Sequence, residues 1–471
     1  MHRNSYFTSF FASETNRIQK SMMNLIDEQK TGIDRRHFLK SMTAAGVLTL
    51  LPSYKAEAFS SKAKGKIIVV GGGAAGISMA ARLQRWLDKP DITLIDPSDR
   101  QYYQPGFTLI ASGVYTPNEV WKEQKDCMPK GVNWIKDYVT AIDPVMNQVS
   151  TNKSGTLSYD FLVLTPGLQI NEVEGITRQT LGEGNAYTIY DFEGAQKTWK
   201  GMQEFVKKGG RGVFTDTFTK HKCGGAPKKI CLLTEHHARK EKKRDNIQLD
   251  FFTAAKALYD VPLYTPRLLE IYKERNIPIN LLTRIKGIDT QSKTVHFEKI
   301  ETVGEEKIYT PFSESYDFLH FTPPMTAPDF TREAGLCNTE DISAPEAWIT
   351  VDKYTMVHTK YPNIVSLGDC SNLPTSKTSA AIRKQVPLAA KNLISLMEGK
   401  EPVEKYNGYA ACPIVTDYGH VLLCEFDYDK KQDSTFPFSM LDVSQEQRAA
   451  WLLKVYILKP LYFYGMLNGR A

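Results

Sequence analysis

Residues 66–96 read KIIVVGGGAAGISMAARLQRWLDKPDITLID, and this stretch decides the fold of the chain. Its first apolar run, Ile67–Val70, predicts a buried parallel strand. The residues after it predict a helix over 74–86, and a second buried strand follows over 92–95. Strand, helix and strand in this order are typical of a parallel sheet covered by helices. The sequence therefore predicts an α/β fold.

Three glycines occupy the turn between the first strand and the helix. Gly71, Gly73 and Gly76 have G-x-G-x-x-G spacing. The first permits a tight turn, the second lets the backbone approach a pyrophosphate, and the third lets the helix pack close to the strand. Asp96 ends the second strand 20 residues after Gly76, where an acid binds a ribose hydroxyl. The unit is therefore predicted to bind a dinucleotide.

The totals set limits on the remaining functions. A chain of 471 residues is too long for one core, so two or three domains are expected. The net charge is +6, and half of it lies in the first 58 residues, so the rest of the chain carries only about +3. A charge this close to balance argues against a nucleic-acid partner. No C-x-x-C pair is present, so no metal site is predicted from the seven scattered cysteines: Cys127, Cys223, Cys231, Cys337, Cys370, Cys412 and Cys424.

The first 58 residues resemble an export signal. Arg35 and Arg36 begin the string RRHFLK and precede an apolar run, Ser41–Leu51, that is too short to span a bilayer. Ala56–Ala58 offers an A-x-A cleavage site, and the paired arginines resemble a twin-arginine signal. We predict a signal peptide over residues 1–58 and a peripheral protein at the periplasmic face of the inner membrane. The alternative is a chance basic tail.

A second α/β layer is predicted between residues 191 and 329, with strands near 213, 247–252, 279–282 and 318–321. Where a reductase for two nucleotides carries its second G-x-G-x-x-G, this chain has HKCGGAP at His221–Pro227. Without those glycines the backbone cannot easily surround a second pyrophosphate. NADH and NADPH are therefore not predicted as electron donors.

One later stretch is predicted to contact a cofactor. Ile364–Asp369 predicts a strand that ends in Gly368 and Asp369, and a helix follows it. An acid at this place can accept hydrogen bonds from a ribityl chain, while the helix N-terminus faces a flavin. Gly-Asp is common in turns, so this prediction depends on the glycine motif earlier in the chain.

Residues 449–467 are apolar and aromatic but contain Lys454, Lys459 and Pro460. A membrane-spanning helix does not readily hold two lysines and a proline in mid-span. An interfacial helix does, because its lysines can snorkel to water while apolar side chains enter the headgroup boundary. We predict a membrane-interface segment. The alternative is a terminal helix packed in the core.

Five short strings are more specific than the glycines: YQPGFTL at Tyr103–Leu109, KCGGAP at Lys222–Pro227, TPPM at Thr322–Met325, GDCSNLPTSKT at Gly368–Thr378 and CPIVT at Cys412–Thr416. With them, the chain from residue 66 onward resembles the sulfide:quinone oxidoreductases, in the type that includes the mitochondrial enzyme. The resemblance implies two Rossmann-like domains, the second degenerate, and a C-terminal membrane-interface region. The implied divisions are an FAD domain over 64–190 and 330–400, the second domain over 191–329, and a quinone and membrane region over 401–471.

The resemblance also implies roles for individual residues. Cys223 and Cys412 would be a redox-active pair beside FAD, with sulfide as substrate and a membrane quinone as electron acceptor. The sulfur acceptor and any homo-oligomer stay open, and the mitochondrial type has no twin-arginine leader. The implied cofactor-binding residues are Gly71, Gly73, Gly76, Asp96, Gln104, Pro105, Gly167, Gly368, Asp369 and Lys377. The implied quinone and membrane residues are Lys454, Tyr456, Ile457 and Phe463.

The cysteine pair suits this chemistry for physical reasons. Oxidation of sulfide removes two electrons from a soft anion, and a disulfide is a suitable electrophile. Cys223 stands just before a helix predicted to begin near Pro227, and Lys228 and Lys229 add positive charge that favours a thiolate. Cys412 is 189 positions further along the chain, so only the fold can bring the two sulfurs together.

Three rival functions remain at this point. The flavoprotein subunit of flavocytochrome c sulfide dehydrogenase has a similar fold and export route, although the aromatic C-terminal segment argues against it. A type II NADH:quinone oxidoreductase is weakened by the missing second glycine motif. A non-catalytic flavin-binding persulfide carrier could hold the same cysteines.

Overall fold

The computed structural model describes residues 59–337, 346–435 and 438–470, so the predicted signal peptide lies outside the described residues. The described strands are β1 Lys66–Val70, β2 Asp91–Ile95, β3 Arg100–Tyr102, β4 Trp121–Glu123, β5 Asn133–Ile135, β6 Val139–Asp143, β7 Gln148–Thr151, β8 Thr156–Ser158, β9 Phe161–Leu164, β10 Gln169–Ile170, β11 Ala186–Tyr187, β12 Gly210–Thr215, β13 Ile247–Phe252, β14 Ile279–Asn280, β15 Thr283–Asp289, β16 Thr294–Val303, β17 Glu306–Ser315, β18 Phe318–His320, β19 Met325–Thr326, β20 Ile364–Ser366, β21 Ala410–Asp417 and β22 His420–Phe426. The described α-helices are α1 Ala74–Trp86, α2 Phe107–Ile110, α3 Gln124–Cys127, α4 Phe192–Lys208, α5 Ala226–Lys240, α6 Thr265–Glu274, α7 Asp329–Glu333, α8 Ser379–Met397, α9 Arg448–Leu452 and α10 Leu458–Pro460.

The first sheet is parallel and has the strand order β20-β9-β1-β2-β5. Its central strand β1 is apolar and buried from Ile67 to Val70, as a strand covered on both faces must be. Helix α1 begins and ends at the predicted residues and packs against α8. Because β20 comes from far along the chain, residues 364–366 complete a sheet that begins at Lys66.

A second parallel sheet has the order β11-β18-β12-β13-β14, so the prediction of a second α/β layer is confirmed. The antiparallel strands β15, β16 and β17 pack beside it. Phe252 of β13 stacks on Phe297 of β16 with ring centroids 4.5 Å apart, and Phe297 stacks in turn on Phe312. The predicted α/β class, with two parallel Rossmann-like cores, therefore describes the fold.

A hairpin of β21 and β22 packs against α5, the helix of the second sheet that follows β12. Its strands are almost completely buried, and Cys412 of β21 lies directly opposite Cys424 of β22. The hairpin therefore positions Cys412 next to α5.

The chain ends in an irregular helix that begins with α9 and continues as a π-helical turn over Leu453–Ile457, α10, a second π-helical turn over Leu461–Gly465 and a 3₁₀ turn. Pro460 has no N–H to donate to the preceding turn, which accounts for a widened helix at this place. The segment packs on the protein, since Tyr462 donates to the carbonyl of Tyr102 at 3.1 Å.

The burial of this segment corrects part of the sequence prediction. Lys454 is 3% exposed and Phe463 is 6% exposed, so Lys454 does not snorkel to water. Its ammonium instead points inward and donates to the carbonyl of Pro105 at 3.4 Å. Tyr456 and Ile457 keep partial exposure. Within residues 59–337, 346–435 and 438–470, no helix has both the length and the apolar character needed to cross a bilayer.

Candidate active site

The glycine turn after β1 has the geometry that a pyrophosphate requires. Gly71 has a φ of +93°, and a Cβ on Gly76 would lie 1.8 Å from the carbonyl oxygen of Gly71. A Cβ on Gly73 would meet nothing within 4 Å, so the backbone there is open to a ligand. This is the division of labour expected of the three glycines.

Asp96 at the end of β2 holds this turn in place. One carboxylate oxygen accepts from the backbone N–H of Gly72 at 2.7 Å and the other accepts from Ser98 at 2.8 Å. Burial raises the pKa of Asp96, and these two hydrogen bonds oppose the rise. The acid is therefore positioned beside the glycines, as the sequence predicted.

The residues after β20 fit the polar part of a flavin cofactor. Gly368 has a φ of +79°, and Asp369 lines a small cleft that is partly open to solvent, together with Lys377 and Thr378. Among the described residues the buried Oδ1 of Asp369 has no hydrogen-bond partner. A buried acceptor without a donor is costly unless a ligand supplies one. The residues present therefore fit the ribityl hydroxyls of FAD.

Lys377 is directed at backbone carbonyls. Its ammonium donates to the carbonyls of Asp369 at 2.7 Å and Ser371 at 2.8 Å, and it lies 3.7 Å from the ring centroid of Trp348. Burial lowers its pKa to about 8, with the Asp369 charge acting in the opposite direction. This arrangement fixes the loop that leads into α8. Gly167, also predicted for the cofactor, has a φ of +75°, and a Cβ added there would meet nothing within 4 Å.

Gln104 and Pro105 connect this region to the cysteines. The Gln104 side-chain oxygen accepts from the ammonium of Lys222 at 2.7 Å, and the carbonyl of Pro105 accepts from Lys454. The neighbouring N–H of Cys223 donates to the carbonyl of Lys377 at 3.0 Å. The predicted cofactor residues and the predicted cysteines therefore lie in one connected region.

The fold brings the two predicted cysteines together. The Sγ atoms of Cys223 and Cys412 are 3.9 Å apart, although the residues are 189 positions apart in the chain. Cys223 precedes α5 with a φ of +52°, and Cys412 is 1% exposed in β21. A Cβ on Gly225 would lie 2.5 Å from the Cys412 sulfur, so glycine is needed for this approach.

The electrostatics favour a thiolate on Cys223. A hydrogen bond from the Cys412 thiol stabilises the Cys223 thiolate, and the ammonium of Lys229 lies 3.1 Å from the Cys223 sulfur. Together they hold the pKa of Cys223 well below its usual value despite burial. The same contact with Cys223, with burial, raises the pKa of Cys412. One sulfur of the pair is thus poised as the anion and the other as the thiol.

Lys454 adds a second cation beside the pair. Burial and the neighbouring Lys229 lower its pKa to about 7, while the two thiols oppose this shift. The structure therefore groups Lys454 with the cysteines, whereas Tyr456, Ile457 and Phe463 lie further along the terminal helix. Phe463 packs on Tyr103 with ring centroids 6.4 Å apart.

The sequence analysis expected both Lys228 and Lys229 to favour a thiolate on Cys223. In the structure Lys229 contacts the Cys223 sulfur and Lys228 does not. Lys228 turns to Asp216, whose carboxylate is also approached by His221. Asp216 was missed because it has no motif. The available signal was its position at the end of a predicted strand and immediately before the cysteine loop.

The chain is similar in sequence and in fold to known proteins. The family model described as pyridine nucleotide-disulphide oxidoreductase matches residues 65–206. The mitochondrial sulfide:quinone oxidoreductase of Mus musculus is 35% identical over 410 residues, which cover 86% of this chain and 86% of the mouse protein. That of Dictyostelium discoideum is 37% identical over 408 residues, with 86% of each chain covered.

A solved structure shows the same fold. The X-ray structure of the sulfide:quinone oxidoreductase from Aquifex aeolicus superposes with a TM-score of 0.69 at 20% identity, covering 86% of this chain and 92% of that chain. Together with the relatives above, the matched family model and the fold define an FAD-dependent oxidoreductase. The identity and coverage of the relatives go further: the chain belongs to the sulfide:quinone oxidoreductase family, as the resemblance indicated.

Proposed function

We propose that this protein oxidises sulfide to sulfane sulfur through Cys223 and Cys412 and reduces a membrane quinone. The observation that carries the proposal is the 3.9 Å separation of the two sulfurs beside the ammonium of Lys229. Family membership supports the reaction class, and the geometry supports the roles of the individual residues.

The sulfide step requires the pair in its disulfide form. Hydrosulfide attacks the Cys412 sulfur, a new sulfur–sulfur bond forms there, and the bond to Cys223 breaks with its electron pair on Cys223. The products are a persulfide on Cys412 and a thiolate on Cys223, so atoms and electrons balance. Lys229 favours this direction because it stabilises the departing thiolate, and thiols of low pKa leave faster.

The cofactor site supplies the redox partner. FAD, when bound, accepts two electrons and passes them on. Gly73 offers open backbone for its pyrophosphate and Asp369 a buried acceptor for its ribityl chain, while Gly71, Gly76 and Asp96 shape the turn. The predicted division into an FAD domain and a degenerate second domain is kept as part of this proposal, with residues 401–471 as the quinone and membrane region.

The terminal helix is the proposed site for quinone. Tyr456 and Ile457 are partly exposed on it, and the charges of the cysteine pair act on the pKa of the Lys454 ammonium. A cation at this place can stabilise negative charge that develops on a reduced headgroup. Phe463 anchors this helix to the protein by packing on Tyr103.

We also propose export by the twin-arginine route to the periplasmic face of the membrane. Arg35 and Arg36 carry this proposal from the sequence alone, and the relatives named as mitochondrial lend it no support. Replacing both arginines by lysine should hold the protein in the cytoplasm. Unchanged export of that variant would refute the proposed export route and would leave the proposed reaction untouched.

The purified protein tests the reaction directly. With sulfide and decylubiquinone, and with no cytochrome present, the wild-type protein should reduce the quinone. Cys223→Ser should lose this activity, whereas Cys127→Ser, at a thiol outside the candidate site, should keep it. Activity only with a haem partner would favour the flavocytochrome alternative, and rapid bleaching by NADH would favour the type II NADH:quinone oxidoreductase.

A further inference from the structure

A buried ion cluster lies beneath the loop that carries Cys223. Asp216 follows β12 and is 6% exposed. The ammonium of Lys228 lies 2.5 Å from one of its carboxylate oxygens, and Nε2 of His221 lies 2.9 Å from the other as an ion-pair contact. The carboxyl ends of parallel strands are where such sheets bind ligands. Here side chains of the protein occupy that end.

The cluster fixes the loop on both sides of Cys223. His221 is two residues before the cysteine and is tied to Asp216 directly, while its Nδ1 lies 3.1 Å from the carbonyl of Thr219. After the cysteine, Lys228 also donates to the carbonyl of Gly224 at 2.9 Å. A non-glycine residue at φ +52° is unfavourable unless its surroundings hold it, and these contacts do so.

Several other charged or titratable groups face this cluster. Tyr190 meets the His221 ring edge-on at 6.2 Å, and burial raises the phenol pKa so that it stays neutral. His320 of β18 faces Asp216, and burial lowers its pKa to about 3, so it is neutral as well. Lys222 turns away to Gln104. Asp216, Lys228 and His221 therefore carry the local charge.

The charge of the cluster depends on His221. Burial opposes its protonation, but the Asp216 carboxylate raises its pKa above the ordinary value, and Lys228 acts weakly in the opposite sense. Lys228 and His221 keep the pKa of Asp216 below its usual range despite burial. The cluster is therefore net positive while His221 is protonated and neutral once His221 has lost its proton.

We propose that Asp216 and His221 are positioning residues for Cys223: Asp216 holds the protonated imidazole against the loop, and its positive charge helps to stabilise the Cys223 thiolate. This inference rests on the proposed role of Cys223. It adds to Lys229 and Lys454 a further, titratable positive charge at the loop that carries Cys223. The pair acts through its contacts with the loop.

The test is the pH profile of alkylation at Cys223 in phosphine-reduced holoenzyme. Iodoacetamide labelling of the tryptic peptide Cys223–Lys228 is followed by mass spectrometry in the wild type and in His221→Gln. The glutamine retains a donor for Asp216 but cannot titrate. We expect the midpoint of its profile to move up by about 0.5 pH unit or more, the effect of one lost charge several Å away, and the rates to converge at alkaline pH.

His237→Gln is the matched control, because this histidine lies on α5 beside Trp199 and away from the cluster. Its profile should coincide with that of the wild type. If His221→Gln also coincides with the wild type, the inference is overturned. His221→Asn provides the same test if the glutamine variant does not fold. A Cys223→Ser protein in which sulfide still bleaches the flavin would refute the proposed function instead, whatever the alkylation profiles show.

Discussion

The two parallel sheets end in loops with opposite designs. After β1, the turn is made of glycines, and the absence of a side chain at Gly73 leaves open backbone. After β12, the corresponding end is filled by Asp216, His221 and Lys228, and the loop beyond them carries Cys223. The same arrangement of strand, loop and helix therefore leaves room for a cofactor after β1 and holds a reactive thiol in place after β12.

The largest expected effect comes from adding a side chain to the glycine turn after β1. In Gly76→Ala the new Cβ would lie 1.8 Å from the carbonyl of Gly71, so β1 and α1 must separate. We expect a loss of about 3 kcal/mol or more in the free energy of unfolding, together with loss of FAD. Gly73→Ala, whose Cβ meets nothing within 4 Å, should fold and lose FAD affinity alone. Thermal melts and flavin content measure both variants, and equal stability of the two would contradict this division.

The second loop should respond differently to the same kind of change. In Gly225→Ala the added Cβ would lie 2.5 Å from the Cys412 sulfur and push the two sulfurs apart. The protein should keep its FAD and lose sulfide-dependent flavin reduction by about a hundredfold, since a misplacement of about 1 Å has this cost. Stopped-flow absorbance measures the rate. A variant that loses FAD, or one that keeps FAD and reduces it at the wild-type rate, would contradict the comparison.

Removing the cation at the cysteine pair should have a smaller effect. Lys229→Met deletes the ammonium that lies 3.1 Å from the Cys223 sulfur, so the pKa of Cys223 should rise. Sulfide-dependent flavin reduction at pH 7 should slow about threefold for each unit by which the pKa of Cys223 rises, because the rate of thiol–disulfide exchange depends only partly on the pKa of the leaving thiol. Lys228→Met, which alters the neighbouring residue bound to Asp216, is the control and should slow the reaction less.

The last prediction concerns the pH dependence of stability. Lys454 has a pKa of about 7 in the folded protein and an ordinary, higher value in the unfolded chain. Between these values the unfolded chain binds more protons, so the contribution of Lys454 to stability rises with pH, by about 1 kcal/mol per pH unit. Lys454→Met should therefore be more stable than the wild type at pH 7, and the difference should shrink by pH 9. Urea unfolding at both pH values measures it, and a constant difference would contradict the assignment.

The sequence predicted the local elements well because their signals are local. The apolar run at Ile67, the glycine spacing and the acid at Asp96 all lie within 31 residues, and helix α1 begins and ends where predicted. The strands near 213 and 247–252 were found in the same way. Each of these depends on periodicity and turn chemistry that a short window contains.

The arrangement of the site depended on contacts between remote residues. Nothing in the spacing of Cys223 and Cys412 indicates that their sulfurs meet, and only the family resemblance suggested it. The snorkelling prediction for Lys454 was wrong, because its buried ammonium donates to the backbone carbonyl of Pro105 instead of reaching water. Asp216 and His221 have ordinary sequence surroundings, and their ion pair exists only once the loop has folded back.

The most direct test of the central claim is to locate the first sulfur that the protein takes up. Oxidised holoenzyme is mixed anaerobically with one equivalent of sulfide, quenched by alkylation and mapped by mass spectrometry. The account predicts one added sulfur, about 32 Da, on Cys412, and alkylation on Cys223. Flavin bleaching with no sulfur on either residue, or with the sulfur on Cys127 or Cys337, would contradict it.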